Sequence, residues 1–188
     1  MPGEMDELFK QIGSANANMK EDLFRDGAGT VLVRELLCRR FFKGRTFVAR
    51  TKVIQSRSKG DLDPKTGAKV EPNAPGSSVG WPQLLDVHPS ALGNVKAFVL
   101  SLLGFGQDQV TSDEFAEAFS RLIAKEQPGR GMLIGYESYQ QTTRTGPNAG
   151  KVNTYIRWVH VPPTGGNKPD EIVKRRAELD QSEPLTTA

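Results

Sequence analysis

Between residues 45 and 55 the side chains change character with a period of two. Phe47, Ala49, Thr51 and Val53 fall on one side of an extended chain. Val48, Arg50, Lys52 and Ile54 fall on the other, because successive residues of a strand point to opposite faces. A helix would scatter both sets around its axis. The stretch therefore commits the chain to a sheet with one core-like face, and it sets two cations in the middle of the other.

The neighbouring segments supply further strands and then a change of period. Residues 30–38 read as a strand, joined to the first by a turn at Phe41-Phe42-Lys43-Gly44. Residues 57–77 form a connector rich in turn pairs (Asp63-Pro64, Thr66-Gly67, Pro72-Asn73, Pro75-Gly76), expected to be mobile. Residues 78–81 give a short third strand. Ala91, Leu92, Val95, Phe98, Val99, Leu102 and Leu103 then recur at helical spacing, and Gly104 fits the stop. Thr111 with Glu114 three residues on is a capping-box signature. It opens a second helix whose apolar face is Phe115, Ala118, Phe119, Leu122 and Ile123, ended by Pro128-Gly129. Strands return at 131–142 and 152–161, joined by a cationic tip at 144–151. A helix over 169–179 and a disordered end over 180–188 complete the reading. Met5, Leu8, Phe9 and Ile12 suggest one short helix in an N-terminal arm.

The order is β-β-β-α(α)-β-β, a mainly β chain of the α+β class. Five strands with a helix between the third and fourth is the order of an OB-fold, a partly open barrel that binds oligonucleotides and oligosaccharides. An SH3-like barrel, or a split sheet with helices on one face, gives a similar string. The expected organisation is an arm over residues 1–28, an OB-fold-like domain over 29–162 and a polar tail over 163–188.

Charge narrows the function. The net charge of the 188 residues is only +3, but residues 31–59 hold nine cations and a single acid, Glu35. Such a concentration is a candidate electrostatic footprint for nucleic acid. The single cysteine, Cys38, cannot form an internal disulfide, and no basic-then-apolar leader opens the chain. The most apolar stretch, residues 97–105, is far below the ~20 residues that span a bilayer. The expectation is a cytoplasmic protein with no membrane partner.

Enzyme signals are weak. His88 and His160 lack a Cys or acid at metal-ligand spacing. Ser, Cys and His form no nucleophile signature, Gly104-Phe105-Gly106 lacks the rest of a dinucleotide fingerprint, and Asp61-Leu62-Asp63 lacks the other ligands of a calcium loop. No catalytic residue, metal or cofactor is expected.

Aromatics interleaved with cations are how sequence-tolerant single-strand binders work. The expected phosphate contacts are Arg50 and Lys52 on the strand face, with Arg57 and Lys59 beyond it. Arg39, Arg40, Lys43, Arg144 and Lys151 lie in the two loops that flank an OB-fold binding face. The expected stacking groups are Tyr155, with Arg157 two residues on, and Tyr139; Phe42 and Trp81 are further candidates. Trp81 precedes Pro82 at a strand end and suits either core or surface. Tyr136 and Trp158 share faces with apolar residues and are read as core. Solvated cations and ordinary polar loops are the competing, non-functional reading of the same residues.

Three runs together resemble a known family: Gly44-Arg45-Thr46-Phe47-Val48-Ala49, Pro75-Gly76-Ser77-Ser78-Val79-Gly80-Trp81, and Gly93-Asn94-Val95-Lys96-Ala97-Phe98 with Leu103-Gly104. With Gly135-Tyr136-Glu137 and Tyr155-Ile156-Arg157-Trp158 as a closing hairpin, residues 29–161 resemble bacteriophage OB-fold single-stranded DNA-binding proteins. The resemblance implies a barrel that coats single-stranded DNA, or RNA, during replication or recombination in an infected bacterium. It also implies replication proteins as partners and is compatible with a homo-oligomer. The end of the chain, Asp180-Gln181-Ser182-Glu183-Pro184-Leu185, is only weakly acidic. Many such proteins end in a strongly acidic tail that recruits partners, so that role is not expected here. The rival function is a phage structural or adaptor protein using the barrel for protein contacts; a small enzyme or modulator of a host protein is a weaker one.

Overall fold

The computed structural model describes residues 22–41, 44–63, 66–87, 89–147, 149–183 and 185. The expected arm helix around Met5–Ile12, Phe42, Lys43 and His88 lie outside the described residues.

Among the described residues the chain forms one six-stranded sheet curled into a half-barrel, with three α-helices. The strands are β1 (Asp22–Leu23), β2 (Gly27–Phe41), β3 (Gly44–Arg57), β4 (Ser78–Leu84), β5 (Leu133–Thr142) and β6 (Val152–His160). The helices are α1 (Pro89–Leu103) and α2 (Ser112–Leu122), between β4 and β5, and α3 (Pro169–Ser182) after β6. The spatial order is β1-β4-β3-β2-β5-β6. Every pairing is antiparallel except the two-residue β1, which runs parallel to β4.

β2 sets the curl. It pairs along its length with β3, but only residues 27–32 also pair with β5. The β2–β3 register slips between Thr30 and Val31 and between Val33 and Glu35. Such bulges bend a strand and raise its twist. Gly29 sits where β2 and β3 crowd together: a Cβ there would lie 2.0 Å from the Gln55 carbonyl oxygen. Past Leu32, the edge of β2 is satisfied by other groups, as buried backbone must be. Val33 N–H donates to the Met132 carbonyl, and the Gln127 amide clasps both the N–H and the carbonyl of Leu36 at 2.8 Å. That clasp places Gln127 in the left-handed region, φ 44°. α2 has by then ended at Leu122, short of the Pro128-Gly129 stop, and residues 123–131 turn back to meet β2.

The alternation expected in β3 is the core. Phe47, Ala49, Thr51 and Val53 are buried beside Val31, Val33 and Leu36 of β2, Val79 of β4 and Ile134 of β5. The Thr51 hydroxyl donates to the Val79 carbonyl at 2.9 Å, so this buried polar group is satisfied. α1 closes the concave side with Ala91, Val95, Phe98, Val99 and Leu102. Leu92, which matches the helical spacing, faces solvent instead. α2 carries the expected capping box: Glu114 N–H donates to Thr111 Oγ1, and Thr111 N–H donates to the Glu114 carboxylate.

Trp81 of β4 and Trp158 of β6 have ring centroids 5.0 Å apart, although four strands intervene between β1 and β6 and three between β4 and β6 are crossed in the ladder order. The sheet has curled far enough for its two sides to touch through side chains. Phe98 of α1 packs on both rings, and Phe24 packs on Trp158 and Tyr136.

α3 is held by arginines. Arg175 donates to the Gly131 and Gly166 carbonyls, and Arg176 donates to the Gln127 carbonyl. Arg130 pairs with Asp180 at 2.9 Å and donates to the carbonyls of Arg34 and Glu183. Arg34 pairs with Glu183 and donates to Ser78 Oγ. Gly131, at φ 89°, lets the helix approach; a Cβ there would lie 2.8 Å from the Ile172 carbonyl. These pairs extend α3 through residues 180–182, where the sequence composition predicts a disordered end.

Among its described residues, the connector from the end of β3 to residue 77 has no regular element apart from a bridge between Leu62 and Lys69. It is pinned by buried Asn73, which accepts from Arg25 N–H at 2.8 Å and donates to the Leu23 carbonyl. No helix among the described residues is long and apolar enough to cross a membrane.

Candidate nucleic-acid interface

The strand register sorts the expected site residues by face and by end. On the outer face, opposite the core, Arg57 stands beside Ala28, Ala28 beside Glu137, and Glu137 beside Arg157. Small residues line the middle of this row. Ala28, Thr30 and Gly135, with Gln55, Arg57, Glu137, Arg157 and Val159 around them, shape an open groove of about 480 Å³.

Next to the groove, the β5–β6 hairpin leaves the sheet. β2 begins at Gly27, opposite Ser138, so Tyr139 and the residues beyond it pair with β6 alone. Tyr139 and Tyr155 are cross-strand partners at the root of this arm. Their rings stack at 5.6 Å between centroids and 20° between planes, and both are exposed, at 45% and 40%. Lys59 donates to the Ser138 carbonyl at 2.9 Å, which holds its ammonium 5.9 Å from the Tyr139 ring centroid. Arg144 and Lys151 are exposed in the loop that ends the arm.

Seven of the expected residues therefore gather at one end of the sheet: Arg57, Lys59, Tyr139, Arg144, Lys151, Tyr155 and Arg157. Arg39 and Arg40 do not join them. They belong to β2 rather than to a long loop, since β2 and β3 stay paired as far as Phe41 and Gly44. The twelve steps of β3 from Arg45 to Arg57 span about 40 Å at ~3.3 Å each, so the two ends form separate surfaces. At the far end Arg45 pairs with Asp86 at 2.8 Å. The hydrogen bonds from Arg45 hold the Asp86 carboxyl below its usual range, and Arg40 adds to this from nearby.

Two expected contacts change character. Arg50 pairs with Glu35 across the β2–β3 ladder at 2.8 Å. Glu35 is buried, so the guanidinium serves to neutralise it, not to wait for phosphate. Lys52, two residues on, is half-buried beside Leu32 and Ser78. Trp81 is 8% exposed and enclosed by Phe47, Phe98 and Trp158; it belongs to the core, and no base can reach it in this fold.

Acidic groups also stand at the site. Glu137 pairs with Arg157 at 2.9 Å. Asp26, buried behind Lys59, has its carboxyl raised above the usual range by burial and then by Asp61. Lys59 lies 3.6 Å from Asp61. Periodicity assigns residues to faces but gives no cross-strand partners; those follow from register, which the bulges in the β2–β3 ladder shift. No group of three or more His, Cys, Asp and Glu among the described residues is placed to hold a metal ion.

No family model and no curated protein matches this chain. Its functional reading rests on the geometry of this face.

Proposed function

We propose that the outer face at the arm end binds single-stranded DNA without strong sequence preference. The observation that carries the reading is the exposed Tyr139–Tyr155 stack beside Lys59, at the end of the sheet that also holds Arg57, Arg144, Lys151 and Arg157. Exposed stacked aromatics offer π-surface to any base, worth roughly 1–3 kcal/mol per stacked base. Cations at the same end of the sheet neutralise phosphates and release counterions. A duplex hides its base faces, so stacking of this kind favours single strands.

The same reading takes the half-barrel as an OB-fold. Setting β1 aside, the order is third-second-first-fourth-fifth strand, with α1 between the third and fourth. The first strand is long, bent and shared by both halves of the sheet, which suits a Greek-key barrel left partly open.

Fluorescence anisotropy with labelled single-stranded and duplex oligonucleotides, at low and moderate salt, tests the function. The expected result is binding to the single strand that weakens steeply with salt. Absence of binding at low salt, or affinity indifferent to salt, would overturn it in favour of a protein-binding barrel.

A further inference from the structure

β6 is the outermost strand on its side of the sheet, and its backbone polarity can be read from the arm. Thr143 N–H donates to the Lys151 carbonyl at 2.9 Å and the Thr143 carbonyl accepts from Gly150 N–H at 2.8 Å, so Thr143 turns both backbone groups to the partner strand, as a residue of a hydrogen-bonded pair does. Such pairs alternate along an antiparallel ladder. Asn153, Tyr155 and Arg157 therefore turn their backbone groups towards β5, and Thr154, Ile156 and Trp158 turn theirs away from the sheet. The Trp158 carbonyl agrees with this: it accepts from Ser101 Oγ of α1. On the opposite edge of the arm, the Asp26 carboxylate takes the Gln140 N–H. Among the described residues, nothing takes the outward groups of Thr154 and Ile156.

Bare edges invite pairing, and proteins usually blunt them with Pro, Lys, bulges or cover. The β4 side of this sheet has Pro82 and the β1 segment. β6 has neither proline nor lysine, and its register with β5 is unbroken. Its sequence, Val152-Asn153-Thr154-Tyr155-Ile156-Arg157-Trp158-Val159, is dominated by strand-forming types.

We propose that this edge pairs with the same edge of a second copy, β6 antiparallel to β6, about a two-fold axis at Tyr155. The free groups fix the register. Thr154 of each chain meets Ile156 of the other, which satisfies all four exposed N–H and carbonyl pairs at the centre. Tyr155 then meets its own symmetry mate at a position between hydrogen-bonded pairs, and Arg157 meets Asn153 with no like charge opposed. The tyrosine row of one arm continues into the other. A register centred on Thr154 instead sets Arg157 against Lys151, two like charges directly opposed, which is destabilising. A patch that pairs with itself about a two-fold axis gives a closed dimer.

Sedimentation equilibrium of the full chain, without nucleic acid, from low to hundreds of micromolar tests this. The expected mass rises from 20.6 kDa towards twice that value. Thr154→Pro removes an outward N–H and leaves the β5–β6 ladder intact, as edge proline can; it should stay at the single-chain mass with its melting temperature retained. Tyr155→Cys, in a Cys38→Ser background, should form a covalent dimer on mild oxidation, because positions between hydrogen-bonded pairs bring Cβ atoms within disulfide range. A single-chain mass at every concentration overturns the proposal. So does a dimer that survives Thr154→Pro. If Thr154→Pro does not fold, the cysteine variant decides: covalent dimer supports the register and its absence refutes it. The mass is read without DNA, so failure here and failure of the binding reading are separate results.

Discussion

Arg50 and Tyr155 sit on the same outer face, yet their substitutions should have opposite signatures. Arg50 neutralises Glu35, which is 4% exposed. Removing one member of a buried pair usually costs roughly 3–5 kcal/mol. Arg50→Glu should therefore lower the urea midpoint strongly, whatever it does to DNA binding; an unchanged midpoint would return Arg50 to the candidate site. Tyr155→Ala should do the reverse, losing roughly 1–3 kcal/mol of oligonucleotide binding with a small change in melting temperature. Trp158→Ala, three residues on but inside the core, should cost roughly 3–5 kcal/mol of stability. Melting both variants and titrating both with oligonucleotide separates the faces. Asp26 adds a pH signature. Its carboxyl is raised mainly by burial, so the native state favours the protonated form. Its stabilising contribution is present below the usual carboxylate pKa and is lost as pH rises through the raised value. Asp26→Asn should hence stabilise the chain near neutrality and gain nothing below pH ~3.8. Denaturant unfolding of both proteins across that range checks the sign.

At the scale of elements, the hydrophobic period carried most of the fold. The β3 alternation, the α1 spacing and the Thr111–Glu114 box each sufficed to place their element, because the apolar face and the cap are local features of the sequence. What stayed hidden was held by distant partners. α3 continues through Asp180 because Arg130 reaches it, and nothing near residue 180 announces that. The sequence pattern ends the strand at Cys38 and leaves Arg39–Arg40 in a loop, but the ladder continues to Phe41. Trp81 was undecided because Pro82 obscured its strand, and the Phe47–Phe98–Trp158 enclosure forms only in three dimensions. Of the candidate site, the tyrosines could be found by counting residues, whereas their stacking and the Glu137–Arg157 pairing needed the register. The arginine fastening of α3 is testable directly. Arg130, 3% exposed, bonds at three points, and Arg130→Met should leave α3 the first segment cut in limited proteolysis. Protection of α3 in that variant would show that Leu179 and its neighbours hold it unaided.

Across the whole molecule, charge is divided between two ends of one sheet. If Arg57, Lys59, Arg144, Lys151 and Arg157 all meet phosphates, log K for single strands should fall against log salt with a slope near about −3.5, at roughly −0.7 per contact. Arg144→Gln with Lys151→Gln should flatten that slope by about 1.4. Neutralising Arg39 and Arg40 at the far end should leave it unchanged; a slope that follows those two would move the interface to the other end.

The contact between Trp81 and Trp158 has a practical corollary. These are the two tryptophans of the chain, and both lie inside the half-barrel, away from the Tyr139–Tyr155 surface. Intrinsic indole emission is thus a gauge of curvature and not of ligand occupancy. Rings this close couple their electronic transitions, and the resulting ultraviolet circular-dichroism couplet should vanish as the two sides of the sheet part. An oligonucleotide held by the tyrosines should leave that couplet in place, so a quenching titration can remain silent while the site fills.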